Sequence, residues 1–491
     1  MESLSALVRE GDPGEIGKRI AAGANPGWRD ENGYTLAILA ACAGRADVVE
    51  LLWKHGAPVE GESCYGESVL SLLSNWGYFG LIGKLLDAGV DPAPLQWSPL
   101  HRAVAVGSLE DVCGVLDGGA DLEAGDRWER SALLVALAGG ETAKAVLLLS
   151  RGANRDATGR CGKTVCHYPL ARDDADTLRW LIGNGFDIDR EDGHGRPPLV
   201  DAAEDGAVEC FKLLADSGAE WDAYRDELEF AVGHPEIARE FLMRGKAVGG
   251  IEDEIVRKMI GVRVVDELPV SEREYLDGRF RRFGKANPER MEVPFWNAMV
   301  RNGWDAYRAA QRFDDESFER DNPVWCHDRF GMSLTPLPDG RFVQIAGEHE
   351  DHYDPDFCIY NDVVVHDGMG GFEILGYPKD VFPPTDFHSA TLVGGWIYLI
   401  GNLGYPETRE AFGYQAPVFR FHVETGRIER VETTGEAPGW IHRHQARLEG
   451  NAIRIEGGKR FLIDGEGNPG IVDNADAWAL ELDGFTWRRL G

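Results

Sequence analysis

The stretch YTLAILAACAGRADVVELLWKHGA, residues 34–57, decides the fold of the first half of the chain. Thr35 opens it, and a threonine hydroxyl caps a helix N-terminus. Small and apolar residues follow to Cys42. Gly44 stands nine residues after Thr35, where a glycine allows the left-handed turn that ends a helix. From Val48 onward apolar residues recur at helical spacing until Gly56 closes the run. Two helices this short cannot bury a core by themselves, so the pattern predicts neighbours of the same kind.

The neighbours are present. A closing Gly recurs at Gly23, Gly56, Gly89, Gly119, Gly152, Gly185, Gly218 and Gly245, with steps of 33, 33, 30, 33, 33, 33 and 27. The helix-opening marker recurs at Thr35, Ser68, Ser98, Ser131, Thr164 and Pro197, with steps of 33, 30, 33, 33 and 33. Two independent markers share one period and one three-residue deletion. Gly44, Gly77, Gly107, Gly140 and Gly206 each stand nine residues after a marker, while the fifth copy carries Asp173 there, which predicts an irregular turn.

The marker strings YTLA, SVLS, SPLH, SALL, TVCH and PPLV, each paired with a closing glycine, resemble ankyrin repeats. The resemblance implies an all-α solenoid over 1–246: a half-repeat at 1–24, full units at 25–57, 58–90, 91–120, 121–153, 154–186 and 187–219, and a closing cap at 220–246. It also implies protein binding through finger loops and a concave face.

Residues 247–330 show no repeat and read as a helical connector. Ser271 to Glu274 fits a capping box, and Phe295, Trp296, Met299, Val300, Trp304 and Tyr307 make a helical apolar stripe suited to core packing. The last third repeats at a longer period. MSLTPLPDGRFVQIAGE, HSATLVGGWIYLIGN and HQARLEGNAIRIEGG each read as a β-hairpin, aligned at Ser333, His388 and either Gln445 or His444. A second strand pair follows each: NDVVVHDGMGGFEIL, VFRFHVETGRIERV and AWALELDGFTWRRL. The three four-stranded units over 331–491 resemble kelch repeats, with Gly457-Gly458 matching the family's diglycine. That implies propeller blades, either open or completed by a homodimer.

The formal net charge is −32, shared by both halves, which disfavours nucleic-acid partners. The eight cysteines form no C-x-x-C pair and read as reduced thiols. With no basic, apolar leader and no apolar run of membrane length, the reading expects a soluble, cytoplasmic protein without membrane contact.

Candidate chemistry is sparse. The loop GEHEDHYDPDFC, 347–358, crowds His349, His352, Asp354 and Asp356, donors suited to a divalent metal. The binding surface carries more signal. The residue before each marker reads Tyr34, Glu67, Trp97, Arg130, Lys163 and Arg196, and two residues earlier stand Tyr65 and Trp128. Trp97, Trp128, Arg130, Lys163 and Arg196 are expected to line one exposed edge of the concave face, with Tyr34, Tyr65, Trp76 and Arg172 beside it, since aromatics and arginine anchor interfaces. The leading expectation is an interaction scaffold for protein partners. The alternatives are an enzyme or metal protein using the His/Asp loop, and an acidic neutraliser of a basic toxin.

Overall fold

The structure is a computed structural model that describes residues 4–224, 227–228, 231–244, 253–262, 265, 267–315, 322–349, 357–463 and 469–490. The chain forms two compact units, residues 1–237 and 238–491, each taken by itself below.

The first unit is a stack of helix pairs. It starts with α1 (Leu4–Glu10) and α2 (Pro13–Ala21). Four regular pairs follow: α3 (Leu36–Cys42) with α4 (Ala46–Lys54), α5 (Val69–Asn75) with α6 (Phe79–Asp87), α7 (Pro99–Val106) with α8 (Leu109–Asp117), and α9 (Ala132–Ala138) with α10 (Thr142–Ser150). Thr35, Ser68 and Ser98 accept from the backbone N–H three residues on, as the marker predicts. Ser131 makes no such bond. Gly44, Gly77, Gly140 and Gly206 are left-handed, whereas Gly107 is extended because Ser108 caps α8 directly after it.

The next pair is irregular, though not in the way expected of Asp173. Its first helix is replaced by two short 3-10 turns, Val165–His167 and Leu170–Arg172, on either side of Pro169, which cannot donate to a helix ladder. Asp173 itself keeps the left-handed turn, at φ 50. Its carboxylate also accepts from Glu209 N (3.0 Å) and Cys210 N (2.8 Å) in the following pair. That cross-link gives a physical reason for aspartate where the other copies have glycine. After it come α11 (Ala175–Gly183), then α12 (Pro198–Asp205) with α13 (Val208–Asp216).

The second unit is layered. Its first sheet joins β2 (Ser333–Pro336), β3 (Phe342–Ile345), β4 (Val363–His366) and β5 (Phe372–Gly376), with β1 (Glu289–Arg290) added outside β5. The second joins β6 (Ser389–Val393), β7 (Trp396–Ile400), β8 (Val418–His422) and β9 (Ile428–Val431). The third joins β12 (Gln445–Glu449), β13 (Ala452–Glu456), β16 (Ala477–Glu481) and β17 (Thr486–Arg489), with β10 (Thr434–Gly435) parallel to β17. All six hairpins read from sequence are present in antiparallel register. Sequence reading missed one hairpin, β14 (Lys459–Ile463) with β15 (Pro469–Asp473), which pairs with β11 (Trp440–His442) and interrupts the third sheet.

The repeat in this unit steps by 56 residues. Gly331, Phe387 and Arg443 all have left-handed backbone, each two residues before an inner strand. Phe387 N donates to Gly331 O (2.7 Å) and Arg443 N to Phe387 O (2.9 Å). Ser333 Oγ lies 2.8 Å from His388 Nε2, and Ser389 Oγ lies 2.8 Å from His444 Nε2. The register is therefore Ser333, Ser389 and Gln445, with His388 and His444 equivalent.

Alternation sorts the strands. Val343, Ile345 and Val363 of the first sheet face Ile397, Leu399, Phe419 and Phe421 of the second. The second sheet's other face, with Tyr398, Ile400 and Val418, meets Ile453, Ile455, Trp478 and Leu480 of the third. The outer face of the first sheet is covered by the preceding helical segment: Gln344 Nε2 donates to His327 O (2.8 Å), and Arg301 lies 5.3 Å over the Phe372 ring. Phe295, Trp296, Met299 and Val300 are buried in that segment, while Tyr307 is exposed. The outer face of the third sheet carries ion pairs instead, Arg447–Glu456, Arg454–Glu456 and Arg488–Glu481. Both end faces are thus finished, one by helices and one by charge.

Candidate protein-interaction site

The finger loops carry the predicted binding residues, and one short finger rearranges them. From Gly89 to Ser98 is nine residues, against twelve from Gly56 to Ser68 and from Gly119 to Ser131. The missing three are the fingertip of unit 91–120, which folds instead as a 3-10 turn at Ala93–Leu95. The next finger reaches across the space left. Trp128 Nε1 donates to Ser71 O (2.8 Å), and Arg127 donates to Gly66 O. Arg130 donates to Ser74 O (2.7 Å) and Ser74 Oγ (2.6 Å). Unit 121–153 is therefore pinned to unit 58–90 across the short unit. Arg172 adds bonds to Gly139 O (3.0 Å) and Gly77 O (3.4 Å).

The exposed row expected from sequence does not form. Arg130 is 1% exposed and paired with Asp126 at 2.6 Å. A guanidinium taken out of water needs a carboxylate and carbonyls around it, and this one has both. Trp97 lies edge-on to Phe79 at 5.8 Å. Trp76 donates from Nε1 to Ala41 O (3.0 Å) and packs over Gly44, whose missing Cβ makes the room. Lys163 and Arg196 remain half-exposed but share Asp201, at 3.1 and 3.3 Å, and Arg196 also pairs with Glu204. The local basic exception on an acidic protein is thus neutralised within the stack.

The first two fingers are different. Tyr65 is 71% exposed and Trp28 36%. Tyr34 lies 6.3 Å from Tyr65 and donates its hydroxyl to Glu67 at 2.5 Å, a bond that pushes the phenol up to about 12. Arg29 ties the two fingers together through Gly33 O and Glu62 O. Glu31, Glu60 and Glu62 are exposed around them. This corner presents aromatic area on a fixed backbone, with carboxylates at its rim.

Sequence reasoning missed the anions that hold the cations. Asp126 accepts from Trp128 N and Arg130 N. Asp30 and Asp192 do the same in the fingers of units 25–57 and 187–219. The signal was legible: Asp30, Ser63, Asp126 and Asp192 each stand five residues before a marker. His101 and His167 were also missed as fasteners. Each Nε2–H donates to a carbonyl of the next finger, Arg130 O (2.9 Å) and Arg196 O (3.2 Å), while Nδ1 faces the marker hydroxyl.

In the second unit His349 is buried, with Nδ1 3.4 Å from both Cys326 Sγ and Tyr360 Oη. His352, Asp354 and Asp356 lie outside the described residues. Among the described residues no three His, Cys, Asp or Glu side chains are grouped to hold a metal ion. Glu348, next to His349, is pushed up to about 7 by burial and by the neighbouring Asp386.

Comparison with known proteins identifies the repeats. A family model described as ankyrin repeats (3 copies) matches residues 4–126 and 133–225. A transient receptor potential cation channel subfamily A member 1 homologue of Caenorhabditis elegans is 28% identical over 180 residues, covering 36% of this chain and 15% of that protein. The ankyrin repeat protein nuc-2 of Neurospora crassa is 30% identical over 205 residues, covering 39% and 19%. The chain therefore spans less than a fifth of the length of these two relatives. The human ASB11 ankyrin repeat domain matches 45% of the chain and 100% of its own, at 21% identity and a TM-score of 0.23. No described helix is long and apolar enough to cross a membrane.

Proposed function

We propose that this chain is an interaction scaffold whose ankyrin repeats hold a protein partner at the fingers of units 25–57 and 58–90. One observation carries the reading: Tyr65 stands 71% exposed on a finger that Arg29 and Arg127 fasten from both sides. A large aromatic on a fixed loop offers contact area at low entropic cost. Ankyrin repeats in general serve protein binding, which supports the same role here. The net charge of −32 favours a basic partner, whose capture should weaken as salt rises.

The test is partner capture by Tyr65→Ala and Trp28→Ala alongside a thermal melt. Each should weaken capture by about 2 kcal/mol while the melt stays unchanged. Full capture by the double variant would sink the assignment of this corner.

A second reading keeps the metal expectation, because Cys326, His349 and Tyr360 converge within 3.6 Å of one another in a buried spot. Elemental analysis of the purified chain and of His349→Ala decides it; no stoichiometric metal in the parent protein would end that reading. The three stacked sheets, with their 56-residue step, support the kelch-like reading of the second unit as an open, propeller-like array.

A further inference from the structure

The second unit blunts its strand edges with care. The outer edge of the first sheet is covered by β1, and that of the third by β10. The outer edge of the second is capped by a side chain: Asn287 Nδ2 donates to Ile428 O (2.7 Å) and Asn287 Oδ1 accepts from Ile428 N (2.9 Å). The outer side of β11 is engaged through Ile441 O, which accepts from Asn402 N (2.9 Å). Free strand edges recruit other strands, and these devices prevent it.

β15 is treated differently. It has no strand partner beyond β14 among the described residues. It belongs to the inserted hairpin that the other two sheets lack. Leu462, Ile471 and Val472 are 47%, 53% and 38% exposed on that hairpin. The hydrogen-bond phase shows which groups are open. Asn474 N donates to Gly458 O (2.9 Å) in the same register that pairs Val472 with Arg460 and Gly470 with Leu462. Gly470 and Val472 therefore spend their backbone groups on β14, and Ile471 directs its N–H and C=O outward.

We infer that β15 is a self-association edge, and that its occupant is β15 of a second copy of this chain, antiparallel about a two-fold axis at Ile471. The argument is self-complementarity. A two-fold at Ile471 lets each copy exchange both Ile471 backbone bonds with the other. Asp473 N–H then meets the carbonyl of Pro469, so the missing proline N–H falls at the end of the ladder. Val472 faces Gly470 of a second copy, and a bulky residue opposite a glycine leaves room for the two Leu462 side chains on the same face. This edge is separate from the end faces of the sheet array, so it would pair two finished units rather than complete a ring. Screening the −32 charge should tighten the association, the opposite of the salt effect expected for a basic partner at the fingers.

The experiment is light scattering on the full chain across a concentration series, at low and high salt. A concentration-dependent rise from 54.1 kDa toward twice that mass is expected, stronger at high salt. Val472→Lys and Ile471→Pro should each raise the dissociation constant at least about tenfold with an unchanged thermal melt, as expected for a lost central contact. Leu448→Lys, at an exposed site on β12, should leave it unchanged. A parent chain that stays monomeric throughout, or a dimer indifferent to Val472→Lys, would overturn the inference.

Discussion

Arg130 shows how one residue changes role between a linear and a folded reading. In sequence it is a cation one place before a repeat marker, where binding residues gather. In the fold it is enclosed by Asp126, Ser74 and the Phe79 ring. Removing one partner of a buried pair leaves the other charge uncompensated. Arg130→Ala should therefore destabilise the repeat unit by about 3–5 kcal/mol, seen as a lowered denaturation midpoint. A change within about 0.5 kcal/mol would mean the pair is solvated. Glu129, its neighbour, has left-handed backbone at φ 59, where Gly33, Gly66, Gly162 and Gly195 occupy the matching fingertip position. A Cβ costs about 1 kcal/mol in that region. Glu129→Gly should accordingly raise the unfolding free energy by about that much, and a loss of stability would show that the Glu129 side chain makes up for its strain.

At the scale of elements, the short finger of unit 91–120 is the decisive feature. Its deletion is plain in the sequence as a step of 30 among steps of 33. Its consequence is not, because nothing in the spacing says that the next finger will fill the space. Inserting three residues, such as Gly-Asn-Gly between Pro94 and Leu95, should restore a full fingertip and displace Trp128 from Ser71. The expected readout is a red-shifted tryptophan emission and faster amide exchange in α5. A Trp128 environment unchanged by the insertion would show that the pin does not depend on the deletion. The β-hairpins were legible for the opposite reason. Each is local, with alternation and a turn in one short window, so no distant residue had to be known. The β14–β15 hairpin escaped notice because KRFLI and PGIVD do not alternate against a buried face; the hairpin leaves Leu462, Ile471 and Val472 in solvent.

At the scale of the whole molecule, the β-rich unit should lose stability in acid. His366, His388 and His444 are buried in the β-rich unit and held neutral, with burial pushing them down to about 3, about 4 and about 3. An unfolded histidine titrates near 6.5. As pH falls below that value the unfolded chain takes up protons at these three sites that the folded unit refuses, so their contribution to stability is full above about 6.5 and drains as pH falls toward 4, against a smaller opposing gain from Glu348, which binds its proton earlier in the folded unit. The slope approaches about 1.4 kcal/mol per pH unit for each histidine. Circular dichroism between pH 7 and 4 should therefore show the β signal melting earlier as pH drops, and His388→Gln should soften that dependence. A β unit equally stable at both ends of the range would contradict the buried neutral state.

What the sequence by itself determined is the periodic part: the helix pairs, their caps, the six hairpins and the order of the two regions. Those follow from local chemistry repeated at fixed spacing, and a repeat multiplies the signal. What only the tertiary structure decided is which of the repeated residues reach solvent. Trp97, Trp128 and Arg130 occupy the same repeat positions as Tyr34 and Tyr65, yet Arg130 is enclosed, Trp97 and Trp128 are partly buried against neighbouring units, and Tyr65 is left outside. Exposure depends on the neighbour a finger meets across space. Here that neighbour was set by three residues missing from the finger in between.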